Sequence, residues 1–135
     1  MNGMAESKRT AADYMSRALV VLAPEMNLFR AMHALLAHDV SGAPVVDAHG
    51  ELVGMLTEKD CFHSAYQASY HRELVGPVSR YMSRAVETVS ADTDVVDVIE
   101  LFYRSSYRRF PVVSGNRLVG VISRRDVLRA LAELW

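Results

Sequence analysis

The sequence predicts an α/β protein made of two β-α-β-β-α repeats, and three observations predict it. Tyr14-Met15-Ser16-Arg17-Ala18 recurs letter for letter as Tyr81-Met82-Ser83-Arg84-Ala85, 67 residues later. Pro44-Val45-Val46 recurs as Pro111-Val112-Val113 at the same spacing. Leu52-Val53-Gly54 and Thr57-x-x-Asp60 recur as Leu118-Val119-Gly120 and Ser123-x-x-Asp126, now 66 residues later. A tandem pair of this kind has a pseudo-two-fold axis, and the cleft between the repeats can carry two related ligand sites.

In the first repeat, Ala18–Leu22 is a short apolar run and reads as a strand. Pro24 suits a helix start. Leu28, Ala31, Met32, Leu35 and Leu36 then follow the spacing of a one-faced helix. The matching positions of the second repeat are Val95, Val98, Ile99, Phe102 and Tyr103, with Asp92 or Thr93 as the cap. Gly42–Val46, the turn Asp47-Ala48-His49-Gly50 and Leu52–Leu56 form a strand, turn and strand. The second copy gives Phe110–Val113, Ser114-Gly115-Asn116 and Leu118–Ile122. Its turn is one residue shorter, which accounts for the change in spacing. Pro44 and Pro111 are read as strand starts, where a missing N–H is tolerated. Helices from Glu58 to about Tyr70 and from Arg124 to Leu134 close the units, and Gly76-Pro77 breaks the chain between them. The expected division is a lead-in over 1–12, repeats over 13–70 and 79–135, and a linker over 71–78.

The chain has 135 residues, half of them apolar, and a net charge of −1. A repeat of about 60 residues buries little core alone, so the halves are expected to fold together. No global field attracts nucleic acid or an anionic membrane. Residues 1–67 carry 5 basic and 8 acidic side chains, and residues 68–135 carry 10 arginines and 8 acids. Seven arginines lie between Arg104 and Arg129, but without a stripe or a nucleic-acid motif. Cys61 is the single cysteine, so no intrachain disulfide forms. Met1–Asp13 is polar and no apolar run reaches the roughly 20 residues of a membrane span. A soluble cytoplasmic protein is expected.

Thr57 and Ser123 sit where an apolar strand turns into a helix, each followed three residues later by an acid. One reading is a capping box, with hydroxyl and carboxylate satisfying free N–H groups of the first turn. Another uses the same geometry for a ligand. A helix N-terminus attracts phosphate, a neighbouring hydroxyl can donate to it, and a carboxylate one turn in can accept from ribose hydroxyls. The two readings are compatible.

The stretches His49-Gly50-Glu51-Leu52-Val53-Gly54-Met55-Leu56-Thr57-Glu58-Lys59-Asp60 and Asn116-Arg117-Leu118-Val119-Gly120-Val121-Ile122-Ser123-Arg124-Arg125-Asp126 carry a resemblance. With Ser41–Asp47 and Tyr107–Val113 upstream, they resemble the paired CBS domain, named for cystathionine β-synthase, whose pairs are called Bateman modules. The resemblance covers about residues 13–134. It implies a regulatory, non-catalytic module that binds an adenosyl ligand (AMP, ADP, ATP or S-adenosylmethionine) and signals to a partner protein, and that needs no other cofactor. It implies Asp60 and Asp126 at the ribose, Thr57 and Ser123 on the phosphate side, Ala43 and Phe110 beside the adenine, and main-chain contacts to the base near Val20 and Thr88. Arg108 and Arg109 flank the second adenine position, and two readings stay open for them, contact with a phosphate or an exposed, solvated pair. Such modules often pair into flat dimers, and the closing helices offer Phe62, Tyr66 and Tyr70 in one copy and Val127, Leu128, Leu131 and Leu134 in the other. A homodimer is therefore expected. Its alternative is a dimerisation or docking module without a physiological ligand. Cys61-x-His63 lacks the further ligands of a zinc site.

Overall fold

The computed structural model describes residues 9–71 and 76–134, the side chains of 68–71 excepted. In chain order the elements are α1 (Ala11–Tyr14), α2 (Leu28–Ala37), β1 (Gly42–Val46), β2 (Leu52–Thr57), α3 (Glu58–His71), a 3₁₀ turn at Val78–Arg80, β3 (Val89–Ser90), α4 (Val95–Arg104), β4 (Arg109–Ser114), β5 (Arg117–Ser123) and α5 (Arg124–Leu134). They gather into two units. One is Val20–Val86, the Thr57 unit. The other joins the chain up to Leu19 with the chain from Glu87 onward, the Ser123 unit.

In the Thr57 unit β1 and β2 pair antiparallel, with Ala43 opposite Leu56. Leu22, Leu28, Ala31, Leu35, Val45 and Leu56 form the centre of its core. In the Ser123 unit β3 lies parallel to β4, and β4 antiparallel to β5. Val95, Val98, Phe102, Phe110, Val112 and Ile122 fill that core. Phe110 stacks at a tilt on Phe102 and Tyr107, with ring centroids 4.8 and 5.4 Å apart.

The run Ala18–Leu22 is not a strand. Only Leu22 pairs, through a parallel bridge to Val45. Leu22 N donates to the Pro44 carbonyl at 3.0 Å and Val46 N to the Leu22 carbonyl at 2.9 Å. Two prolines bound this ladder. The next rung backward needs an N–H at Pro44 to reach the Val20 carbonyl, and the next forward needs one at Pro24 to reach Val46. In the second copy Ala91 replaces Pro24, its N–H reaches the Val113 carbonyl at 2.9 Å, and β3 forms. Pro44 and Pro111 are the third residues of β1 and β4, not their starts.

Pro24 lies in a turn, and α2 begins at Leu28, capped by Asn27 through a 2.9 Å bond from Phe29 N. Asp94, not Asp92 or Thr93, caps α4 in the same way through Val96 N at 2.9 Å. The predicted stripes face the cores except at their last positions, Leu36 and Tyr103, which are 75% and 88% exposed. On α5, Val127 turns inward with Ala130, and Leu128 is the exposed apolar residue. The side chain of Tyr70 lies outside the described residues. The turn after β1 closes on Gly50, whose φ of 83° suits glycine. Asp47 caps it, accepting from His49 N at 2.9 Å and Glu51 N at 3.0 Å. These bonds, that from Glu51 foremost, hold the Asp47 carboxyl below its ordinary range.

The duplicated Tyr-Met-Ser and Leu-Val-Gly segments are two sides of one contact, made crosswise. Ser83 and Met55 exchange bonds of 2.9 Å, and Met82 lies over Gly54. Ser16 and Val121 exchange bonds of 2.8 and 3.0 Å, and Met15 lies over Gly120. A Cβ on Gly54 would fall 2.9 Å from the Ser83 carbonyl, and one on Gly120 would fall 3.0 Å from the Ser16 carbonyl. Glycine is required at both places by this close approach.

Candidate functional site

Each unit holds one corner where a half-buried strand end delivers a hydroxyl and a helix first turn delivers a carboxylate. In the Thr57 unit, Thr57 N and Oγ1 donate to Asp60 Oδ2 at 2.9 and 3.0 Å. Asp60 N returns a bond to Thr57 Oγ1 at 3.1 Å. In the Ser123 unit the same three bonds measure 2.8, 2.9 and 3.1 Å between Ser123 and Asp126. These are capping boxes. Each uses one carboxylate oxygen, Oδ2, and leaves Oδ1 for other partners. Gly42 pairs with Thr57 and Arg109 with Ser123, so Arg109 occupies in its copy the place of Gly42 in the other.

The remaining predicted residues fall into distinct surroundings. Ala43 and Phe110 are core residues, each 1% exposed, so their side chains are unavailable to a base and only their main chains remain. Val20 is half-buried, and among the described residues no donor reaches its carbonyl, the one that Pro44 fails to pair. Thr88 is exposed and directly precedes β3. Arg108 is exposed, and no described residue engages its guanidinium. Arg109 is half-buried, and its Nε is shielded from solvent without a hydrogen-bond partner. Arg124 has structural work instead. Its Nε donates to the Tyr107 carbonyl at 2.9 Å and its backbone N to the Arg108 carbonyl at 3.0 Å. That clamps the loop leading into β4.

The sequence reading missed Arg129. Its Nη2 lies 3.3 Å from Asp126 Oδ1 and donates to the Tyr14 carbonyl at 3.1 Å. Tyr14 in turn donates from its hydroxyl to Glu133 Oε2 at 2.8 Å, and Glu133 pairs with Arg9 at 2.9 Å. The three-residue spacing of Asp126 and Arg129 on a helix is a pairing signal visible in the sequence. Beside Asp60, Cys61 is buried and its thiol pKa is raised, by burial first and then by the charges of Asp60 and Glu58. A thiol of that kind is not an activated nucleophile. Among the described residues no three His, Cys, Asp or Glu side chains group around a common point. No described helix is long and apolar enough to cross a membrane.

Residues 11–66 and 78–133 each match the CBS domain. The chain belongs to the CBS-domain family. An uncharacterized 17.7 kDa protein of Acidianus ambivalens is 30% identical over 115 residues, covering 84% of this chain and 68% of that protein. The inosine-5'-monophosphate dehydrogenase of Methanocaldococcus jannaschii is 26% identical over 125 residues, which are 92% of this chain and 24% of the enzyme. The matched stretch is thus about a quarter of a longer protein. Among solved structures, CBSX2 in complex with AMP superposes with a TM-score of 0.81 at 27% identity, covering 93% of this chain and 97% of that one. CBSX2 from Arabidopsis thaliana, a CBS-pair protein, superposes with a TM-score of 0.78 at 25% identity, covering 95% and 97%.

Proposed function

We propose that this CBS pair is a regulatory module that binds an adenosyl ligand and passes the ligand state to a partner protein, with no chemistry of its own. The observation that carries the reading is the duplicated corner, in which a hydroxyl, a helix N-terminus and a carboxylate whose Oδ1 takes no part in the cap converge. Asp60 and Asp126 accept from the ribose hydroxyls through Oδ1. Thr57 and Ser123 now direct their hydroxyl protons to Oδ2, and a phosphate recruits those protons by turning the hydroxyl outward. The Val20 carbonyl and the main chain at Ala43, Thr88 and Phe110 serve the base. Arg108 and Arg109 serve the phosphates, and the unpartnered Nε of Arg109 supports that role. The AMP complex of CBSX2 supports the ligand class. AMP, ADP, ATP and S-adenosylmethionine are the candidates, and the cytoplasm, where they abound and Cys61 stays reduced, is the expected compartment.

The test is thermal melting of the chain with each of the four ligands. A ligand at 100 times its Kd adds about 2.7 kcal/mol of stability. No shift with any of them refutes the reading. A second reading, a dimerisation or docking module without a ligand, is favoured by one observation. Leu36, Phe62, Tyr66, Tyr103 and Leu128 are 63–88% exposed on their helices. We propose a homodimer through such faces in either case.

A further inference from the structure

The two corners differ at the oxygen that matters for a ribose. Asp126 Oδ1 faces the Arg129 guanidinium at 3.3 Å. No described residue engages Asp60 Oδ1. The position matching Arg129, 66 residues earlier and one turn beyond Asp60, is the exposed His63. Among the described residues no hydrogen bond or ion pair joins His63 to Asp60.

We propose that the residue one turn beyond the carboxylate sets unequal ribose affinities in the two copies, with Arg129 weakening the Asp126 site and His63 leaving the Asp60 site open. The inference rests on the adenosyl reading above. A ribose cis-diol brings two O–H donors, and each carboxylate has Oδ2 already accepting from a backbone N–H and a hydroxyl. Both donors must therefore find Oδ1. In the Thr57 unit its lone pairs are open. In the Ser123 unit one is turned to a cation that is also tied to the Tyr14 carbonyl at 3.1 Å. Moving Arg129 aside to admit the diol breaks both contacts. Arg129 is 56% exposed at the side chain and Asp126 only 16%. A pair with its cation open to water is weak, so the expected difference is about two- to fivefold in Kd, and it shrinks with salt.

Calorimetry on the full chain with adenosine tests this, because adenosine carries no phosphate for an arginine to attract. Asp60→Ala isolates the second site and Asp126→Ala the first. In the Asp60→Ala background, Arg129→Ala is expected to tighten adenosine binding about two- to fivefold. In the Asp126→Ala background, His63→Arg is expected to weaken it by a similar factor, and raised salt to reverse that loss. His63 is exposed, so this second variant tests the inference even where Arg129→Ala disturbs the Tyr14 contact. Unchanged or weakened binding on Arg129→Ala, together with no loss on His63→Arg, overturns the inference alone. Absence of saturable binding of adenosine and AMP to the parent chain refutes the adenosyl reading, and the inference with it.

Discussion

Replacing Asp60 separates the two duties of its carboxylate. Alanine removes Oδ2, which accepts from Thr57 N at 2.9 Å and Thr57 Oγ1 at 3.0 Å. Losing a cap of this kind costs about 0.5–2 kcal/mol. A small domain with about 5–15 kcal/mol of stability remains folded after that loss. Alanine also removes Oδ1, and losing a charge-assisted bond to a ligand costs about 1.5–3 kcal/mol, roughly a 12- to 150-fold weaker Kd. Asparagine distinguishes the two effects. Its single oxygen can keep the bond from Thr57 N, and its NH₂ then stands where Oδ1 stood, a donor facing the ribose donors. Asp60→Asn is therefore expected to melt in urea near the parent midpoint while losing affinity as strongly as Asp60→Ala. The assays are urea melts and calorimetric titration with AMP, made in the Asp126→Ala background so that one site reports. A folded Asp60→Ala, Asp126→Ala chain that binds AMP with parent affinity refutes the ribose role and leaves the carboxylates as caps only.

Gly120→Ala places a methyl 2.8 Å from Met15 Cγ and 3.0 Å from the Ser16 carbonyl, so it is expected to destabilise by about 1–3 kcal/mol and to speed hydrogen exchange at the Ser16 and Val121 amides; unchanged exchange there argues against a tight crossing. Arg109→Ala is expected to weaken ATP or ADP more than adenosine, and equal losses in titration remove its phosphate role. The raised Cys61 pKa means the native state holds the thiol proton more tightly than the unfolded chain. That contribution is present below the unfolded pKa and lost as pH rises through the folded one, so alkylation of the native thiol should reach half its maximal rate at a higher pH than alkylation of the urea-unfolded chain, and an equal or lower midpoint contradicts the burial effect. Light scattering at micromolar concentration is expected to give twice 15.0 kDa, and the monomer mass refutes the dimer.

Much of this architecture is legible in the sequence because it depends on neighbours along the chain. The stripes of α2 and α4 and both capping boxes need only spacings of three and four residues. What escapes depends on groups far away in sequence. Ala18–Leu22 has strand composition, yet its ladder is limited by a missing N–H at Pro44 on the partner strand as well as by Pro24. The repeats Tyr-Met-Ser and Leu-Val-Gly are visible as duplicates, but two copies allow two pairings with the same composition. The crosswise one, Met82 on Gly54 and Met15 on Gly120, is chosen by the path of the chain. Arg129 is one arginine among seven between Arg104 and Arg129 until the Tyr14 carbonyl, 115 residues away, holds it beside Asp126. A duplication also sorts residues by what the fold demands of both copies. The cap hydroxyl and acid, the glycine under the methionine and the core face recur, and each makes the same local contact in both units. Gly42 against Arg109 and His63 against Arg129 do not recur, and both differences lie at the corners where a ligand would sit. A Cβ on Gly42 would fall 3.1 Å from the Leu56 carbonyl and 3.2 Å from the Thr57 methyl, which Ser123 lacks, so packing holds the glycine in its copy. His63 and Arg129 are exposed, so packing does not fix the residue there, and that is the position through which the proposed difference between the copies would act.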